Sequence, residues 1–420
     1  MMNSQYTIPF RALIMAIMLV ACVKEPLKPE IELTGIHLIE VENIEYVIDA
    51  ISIDNQLLVT IIDKAKQYHF ILLDENLNQV WIKTFEQINE PVQRRALQSV
   101  LYDGNNTISV FWADGLLRFD TQGNIIDFHF TFFEGHPVYG LNMKRAMIIE
   151  NGNYLIIGSI LSGSGNRGYS AVFDQNGSNV YSNFSAFSSK GDNILSDVVK
   201  KPNGEYLVTG LFDSDSPTEK PTSLIAQRLD AEGKIIETTY TAISSNSGPL
   251  PVATINGRGQ GLVNNNNGTY SYFVNPKLNG SENSTLKCFR INGKGDILNT
   301  IAIPLPALHV SGGTVPYINK GVTTDSRSNI IGVTREAEGI PFNNVVANNE
   351  NGSNLTSPHN SRYFIISQEG EVLKTGDINQ ELSNYFNVAV TRPDDKTFLV
   401  GKQLSFDNNF KLALFELKTP

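Results

Sequence analysis

The chain has 420 residues, 41% hydrophobic and 18% charged, with a formal net charge of -10, six histidines and two cysteines. An acidic balance with no offsetting basic block argues against general affinity for nucleic acid or anionic lipid headgroups. The length exceeds what one ordinary hydrophobic core serves, unless that core is divided among repeated units that share it with their neighbours.

At the N-terminus, Arg11 precedes the apolar run Ala12-Leu-Ile-Met-Ala-Ile-Met-Leu-Val20, which has the length of a secretory signal and is too short to span a bilayer comfortably. The following Leu19-Val-Ala-Cys22 resembles the bacterial lipobox, in which small residues precede a cysteine that is acylated and becomes the mature N-terminus. That resemblance implies a signal peptide over residues 1–21, a Cys22 carrying palmitate-like acyl chains, and an outer-membrane lipoprotein on the periplasmic or the cell-surface side. Acyl chains contribute about 0.8 kcal/mol per buried methylene, so two hold a protein on a membrane without a spanning helix. Residues 22–30, with Lys24-Glu-Pro-Leu-Lys-Pro29, read as a lipidated, Pro-rich tether, and Lys24-Glu25 resembles a surface-export signal of Bacteroidota lipoproteins. With Cys22 acylated, no intrachain disulfide can form, and Cys288, in an alternating run, reads as a buried apolar thiol.

Beyond the tether, two short signals recur. Asn151-Gly-Asn-Tyr-Leu-Ile-Ile-Gly158 returns as Asn203-Gly-Glu-Tyr-Leu-Val-Thr-Gly210 and Asn267-Gly-Thr-Tyr-Ser-Tyr-Phe273, with weaker versions near Asp103, Ser328 and Asp395. Asn-Gly between alternating apolar runs predicts a hairpin with a type I′ turn, which needs positive φ at both central residues. The second signal, Asp-x-x-Gly, stands at Asp120, Asp174 and Asp230, with variants at Asp74, Asn292 and Ser367. Successive copies are about 46, 54, 56, 62 and 75 residues apart, near the period of a propeller blade with growing loops.

The repeats predict an all-β chain forming a single β-propeller domain over residues 31–420, with seven four-stranded antiparallel blades, six or eight being the alternatives. Complete units fall at about 46–85, 97–133, 143–186, 194–243, 259–304 and 318–378. A seventh begins near Phe386 and ends after three strands. An open ring would expose a sheet edge, so residues 31–41 are expected to supply the missing outer strand. The Gly-x-Tyr-apolar-apolar-x-Gly blade resembles that of bacterial, Bacteroidota-type β-propeller lipoproteins, while the Gly-His and Trp-Asp signatures of WD40 proteins do not occur. The resemblance implies binding or scaffolding and fixes no ligand.

Connection lengths carry the functional signal. Links between blades, and links between the second and third strands, are long, and alternate connections of a meander emerge at one end of the ring. Arg94, Arg95, His136, Tyr139, His309 and Tyr317 are the candidate binding residues, with Phe342, His359 and Tyr385 on the same face. Arginine and tyrosine there suit a carboxylate, a sugar face or a partner backbone. No His-Glu-x-x-His occurs, and Asp213-Ser-Asp-Ser216 lacks the glycine and terminal glutamate of a calcium loop. Gly163-Ser-Gly-Asn-Arg-Gly168 has dinucleotide-fingerprint spacing between predicted strands without a following helix. No cofactor, metal or catalytic set is therefore assigned. The reading is a membrane-anchored, non-catalytic module for a protein partner or glycan; the alternative is a polysaccharide hydrolase or lyase with its site at the channel mouth.

Overall fold

The apolar alternation of each repeat folds as strand in a computed structural model of the chain. It describes residues 32–41, 43–65, 67–85, 97, 99–112, 115–129, 141–162, 165–185, 192–213, 223–243, 261–274, 286–304, 315–317, 321–337, 361–378, 384–404 and 410–418. Seven antiparallel sheets follow one another in a ring, over residues 44–85, 99–129, 141–185, 192–242, 262–303, 315–377 and 384–418. These are blades 1 to 7 of a β-propeller. Blade 7 takes three strands from the C-terminal end, Asn384–Thr391, Thr397–Leu404 and Phe410–Lys418, and its outer strand is Glu32–Ile39. The pairing runs from Glu32 opposite Lys418 to Ile39 opposite Leu412, so the ring closes between the two ends of the described chain. In blade 6 the inner strand is split into Val315–Tyr317 and Val322–Thr324, both paired with Ile330–Ala337.

The core is divided as the length required. Side chains alternate along each strand between the blade before and the blade after. In the second strand of blade 1, Leu57, Val59 and Ile61 face blade 7, and Leu58 faces blade 2. Seven clusters result, one at every interface from blades 1 and 2 round to blades 7 and 1. Cys288 is fully buried in the cluster between blades 5 and 6, where loss of solvation pushes its thiol up to about 12.

Both recurrent signals make the same turn, which differs from the type I′ expectation. In the first, Ile149 N donates to Asn153 O at 2.9 Å and Gly152 N to Ile149 O at 2.9 Å. In the second, Asp120 N donates to Asn124 O and Gly123 N to Asp120 O, again at 2.9 Å. In these two turns only the closing residue is left-handed, at φ 80° for Gly152 and 78° for Gly123, which is the hairpin closed by a G1 bulge; the copies at Asp103 and Asn265 also hold Gly104 and Asn266 left-handed, at φ 78° and 59°. The leading Asp braces it: Asp120 Oδ1 accepts the N–H groups of Gln122 and Asn124 at 3.0 and 2.8 Å. Leu77, Asn106, Ser328 and Asp395 hold the left-handed position where glycine is missing.

Three glycines answer to neighbouring backbone or blades as well. The Asp-x-x-Gly turn leans on the preceding blade, receiving Trp81 Nε1 on Thr121 O at 2.9 Å and Thr239 Oγ1 on Lys294 O at 3.0 Å. A Cβ on Gly295 would lie 2.1 Å from Ala226 Cβ of blade 4. The last glycine of the first signal has another cause. In blade 4 the inner strand, Asp192–Lys200, bulges between Leu195 and Asp197, opposite Gly210. A Cβ there would stand 2.1 Å from Ile194 O. Blade 7 repeats this: Gly401 faces the bulge between Phe386 and Val388, with Tyr385 O at 2.1 Å.

Candidate functional site

Each inner strand starts, and each second strand ends, at the end of the ring opposite the tight turns. The connections over residues 86–98, 130–140, 243–261 and 304–314 between blades, and over 214–222, 275–285 and 338–361 within them, therefore attach at one face. Blades 1, 2 and 3 depart from the pattern, because their second and third strands leave only residues 64–67, 112–115 and 163–164 between them. The glycine-rich run at 163–168 thus continues largely as strand. Arg94, Arg95, His136, Tyr139, His309, Phe342, His359 and the lipidation candidate Cys22 lie outside the described residues. Tyr317 ends the first piece of the inner strand of blade 6, opposite Arg335, and not in a connection. Tyr385 is the second residue of the inner strand of blade 7.

Around Tyr385 the loop-bearing face carries a cluster that sequence reasoning missed. Lys402 lies directly across the ladder from Tyr385. Its ammonium donates to Glu45 O of blade 1 at 2.6 Å. It also lies 4.3 Å from the ring centre of Phe410, 5.2 Å from Tyr385 and 5.5 Å from Tyr46. One cation among three aromatic rings joins blades 7 and 1 at the mouth and presents partly exposed aromatic surface there. The signal available in sequence was weak: Tyr46 and Tyr385 both sit near the start of an inner strand, but only ring closure makes them neighbours.

Two of the described acids, Asp197 and Asp63, are structural ties. Asp197, released from the strand by the bulge, accepts Val198 N and Leu262 N, each at 2.8 Å, and lies 3.7 Å from Arg145 Nε. It therefore ties blades 3, 4 and 5 together. On the outer part of blade 1, His69 Nε2 is 3.0 Å from Asp63 Oδ2 and Nδ1 is 2.9 Å from Thr84 Oγ1. Asp63 also accepts Gln67 N at 2.8 Å, which makes the set a brace for the adjoining turn. Among the described residues, no group of three or more His, Cys, Asp or Glu is placed to hold a metal ion.

The opposite, tight-turn face has an open cleft of about 420 Å³ between blades 4 and 5, lined by Lys201, Glu205, Arg228 and Asp296 among others. Three of its charges, on Lys201, Glu205 and Arg228, satisfy one another. Lys201 Nζ lies 2.6 Å and Arg228 Nη2 3.1 Å from Glu205, and Lys201 reaches Gly293 O of blade 5 at 3.3 Å. Lys201 and then Arg228 hold the Glu205 carboxyl down at about 2 against an ordinary 4.5. A depressed acid contributes stability above its unfolded value and loses it as pH falls through its folded value. From pH 5 down to pH 2, the urea midpoint of Glu205→Gln is expected to fall less than that of the unaltered chain. Parallel curves would show that this clasp contributes nothing.

The chain matches no protein-family model and no curated protein sequence. Solved structures resemble it at low identity. An ulvan lyase, from a new polysaccharide lyase family, is 9% identical with a TM-score of 0.55, covering 91% of this chain and 95% of its own. The β-propeller domain of the Trilobed protease from Pyrococcus furiosus is 10% identical with a TM-score of 0.46, covering 90% and 96%. A protein of unknown function from Bacteroides caccae is 11% identical with a TM-score of 0.34, covering 79% and 93%. Likeness at this level concerns the fold alone.

Proposed function

We propose that the protein is an envelope lipoprotein, anchored by acyl chains on Cys22 after loss of residues 1–21, whose propeller binds a protein partner or a glycan at its loop-bearing face. The observation that carries this reading is the segregation of connections. The turns joining first to second and third to fourth strands all lie at one end of the ring, and the long connections all attach at the other, where elaboration does not disturb the shared cores. The Lys402, Tyr46, Tyr385 and Phe410 cluster adds cationic and aromatic surface to that rim, the chemistry that stacks on sugar rings or packs on a partner.

The test is capture of defined glycans on an array, and of cross-linked partners from membranes, by the full chain. Replacing Arg94, His136 and Tyr139 together by alanine should lower capture at least tenfold while leaving the urea transition in place. Unchanged capture would remove these residues from the site. The alternative, a polysaccharide hydrolase or lyase, draws support from the fold shared with the ulvan lyase. It requires acid and base groups facing each other at the mouth, whereas the described Asp197 is committed to two backbone donors.

A further inference from the structure

We infer that the protein stands on its membrane with the tight-turn face towards the lipid and the loop-bearing face away from it, so that its partner comes from the aqueous side and is not a lipid headgroup. This rests on the proposed anchor at Cys22 and on the direction in which the chain enters the ring.

The last strand, Phe410–Lys418, starts at the loop-bearing face, because it follows a second-to-third-strand connection, and finishes at the tight-turn face. The ring-closing strand runs antiparallel to it, with Glu32 opposite Lys418. Glu32 therefore lies at the tight-turn edge, and Ile39, opposite Leu412, lies at the other. From Cys22 to Glu32 the chain spans at most roughly 35 Å when fully extended. The second strand of blade 1, Gln56–Asp63, has 8 residues, so the blade is about 26 Å deep. With the loop-bearing face on the membrane, Glu32 would be raised by that depth and by the long connections beneath it. The tether would have to run almost straight, losing its conformational freedom. With the tight-turn face down, no extension is demanded.

Charge argues that the tether, and not adsorption, sets this contact. The tight-turn rim carries Asp54, Glu75, Asp103, Asp174 and Glu369 on exposed or half-exposed turns, a surface that anionic headgroups repel, while its Glu150 and Glu232 pair with Lys200 and Lys234. The face would be held near the bilayer without embedding in it, leaving the Lys402 cluster and the long connections free on the far side.

The two ends of one strand give a ruler. Asn55 and Lys64 flank Gln56–Asp63 in blade 1, both exposed, the first at the tight-turn face and the second at the loop-bearing face. Asn55→Cys and Lys64→Cys in the full acylated chain take a thiol-reactive donor dye, since Cys288 is buried and its thiol is pushed up to about 12. The chains are placed in phosphatidylcholine vesicles whose headgroups carry an acceptor. Energy transfer at least twofold greater from position 55 than from position 64 is expected. Equal transfer, or greater transfer from position 64, would overturn the orientation. Cys22→Ala separates the premise from the inference: loss of vesicle binding supports the anchor, and undiminished binding sinks the anchor reading whatever the two dyes report.

Discussion

Gly210→Ala is expected to destabilise the protein by at least about 3 kcal/mol, although φ at this glycine is one that alanine can adopt. The added Cβ would meet Ile194 O at 2.1 Å and Leu195 Cα at 2.8 Å, both backbone atoms of the bulged inner strand. No rotamer relieves such a contact; the bulge itself must flatten, and with it go the Asp197 bonds that tie blade 4 to blade 5. Gly268→Ala is the contrast. Its φ is 80°, but nothing lies within 4 Å of its Cβ position, so the cost is the left-handed strain alone, about 1 to 2 kcal/mol. Urea denaturation of both variants decides the matter. If Gly268→Ala proves the more damaging, positive φ and not close approach explains the glycines of the repeat.

At the seam, Arg392→Ala should cost about 3 kcal/mol, measured in the same way. The guanidinium is fully buried, pairs with Asp394, donates to Glu75 O of blade 1 at 3.0 Å and lies 5.1 Å from the Phe398 ring. Its removal leaves Asp394, now held below the ordinary carboxylate range first by Arg392, without its main partner. Arg392→Ala combined with Asp394→Ala should therefore recover part of the loss. The same interface is fastened at mid-height by Asn387 Nδ2 to Val47 O at 2.8 Å and at the mouth by Lys402 to Glu45 O at 2.6 Å. Because the ring-closing strand leads straight into blade 1, loosening this seam strains the ladder between Glu32–Ile39 and Phe410–Lys418. Amide exchange in Ile36 to Ile39 should accelerate in Arg392→Ala more than exchange in the second strand of blade 4. An unchanged urea midpoint and uniform exchange would show that the clamp is idle.

Much of this architecture was legible before any coordinates, because hairpins are local. Period-two alternation and turn residues at fixed offsets specify each strand within its own blade. For the ring-closing strand, the shortfall of one strand at Lys418 left residues 31–41 as the one unpartnered run. Blade 4 shows where such reading stops. Its inner strand runs over Asp192–Lys200, and the bulge at Ser196 reverses the alternation halfway along it, so period-two patterning does not mark its full length. The type I′ turns failed for a related reason: Asn-Gly is compatible with two hairpin turns, and the register of the flanking strands selects between them.

The candidate site was less legible. Tyr385 could be placed on the correct face, but Tyr46 lies far from it in sequence and Lys402 sits in an ordinary strand pattern. By itself the sequence determined the repeat, the strand order, the closing of the circle by its first strand and the end at which long connections gather, because each follows from neighbours along the chain. Only the tertiary structure decided why Gly210, Gly295 and Gly401 must lack a side chain, which cation closes the seam and at which edge the chain enters the ring. Those depend on atoms of different strands and blades approaching within van der Waals distance, and no local pattern encodes that approach.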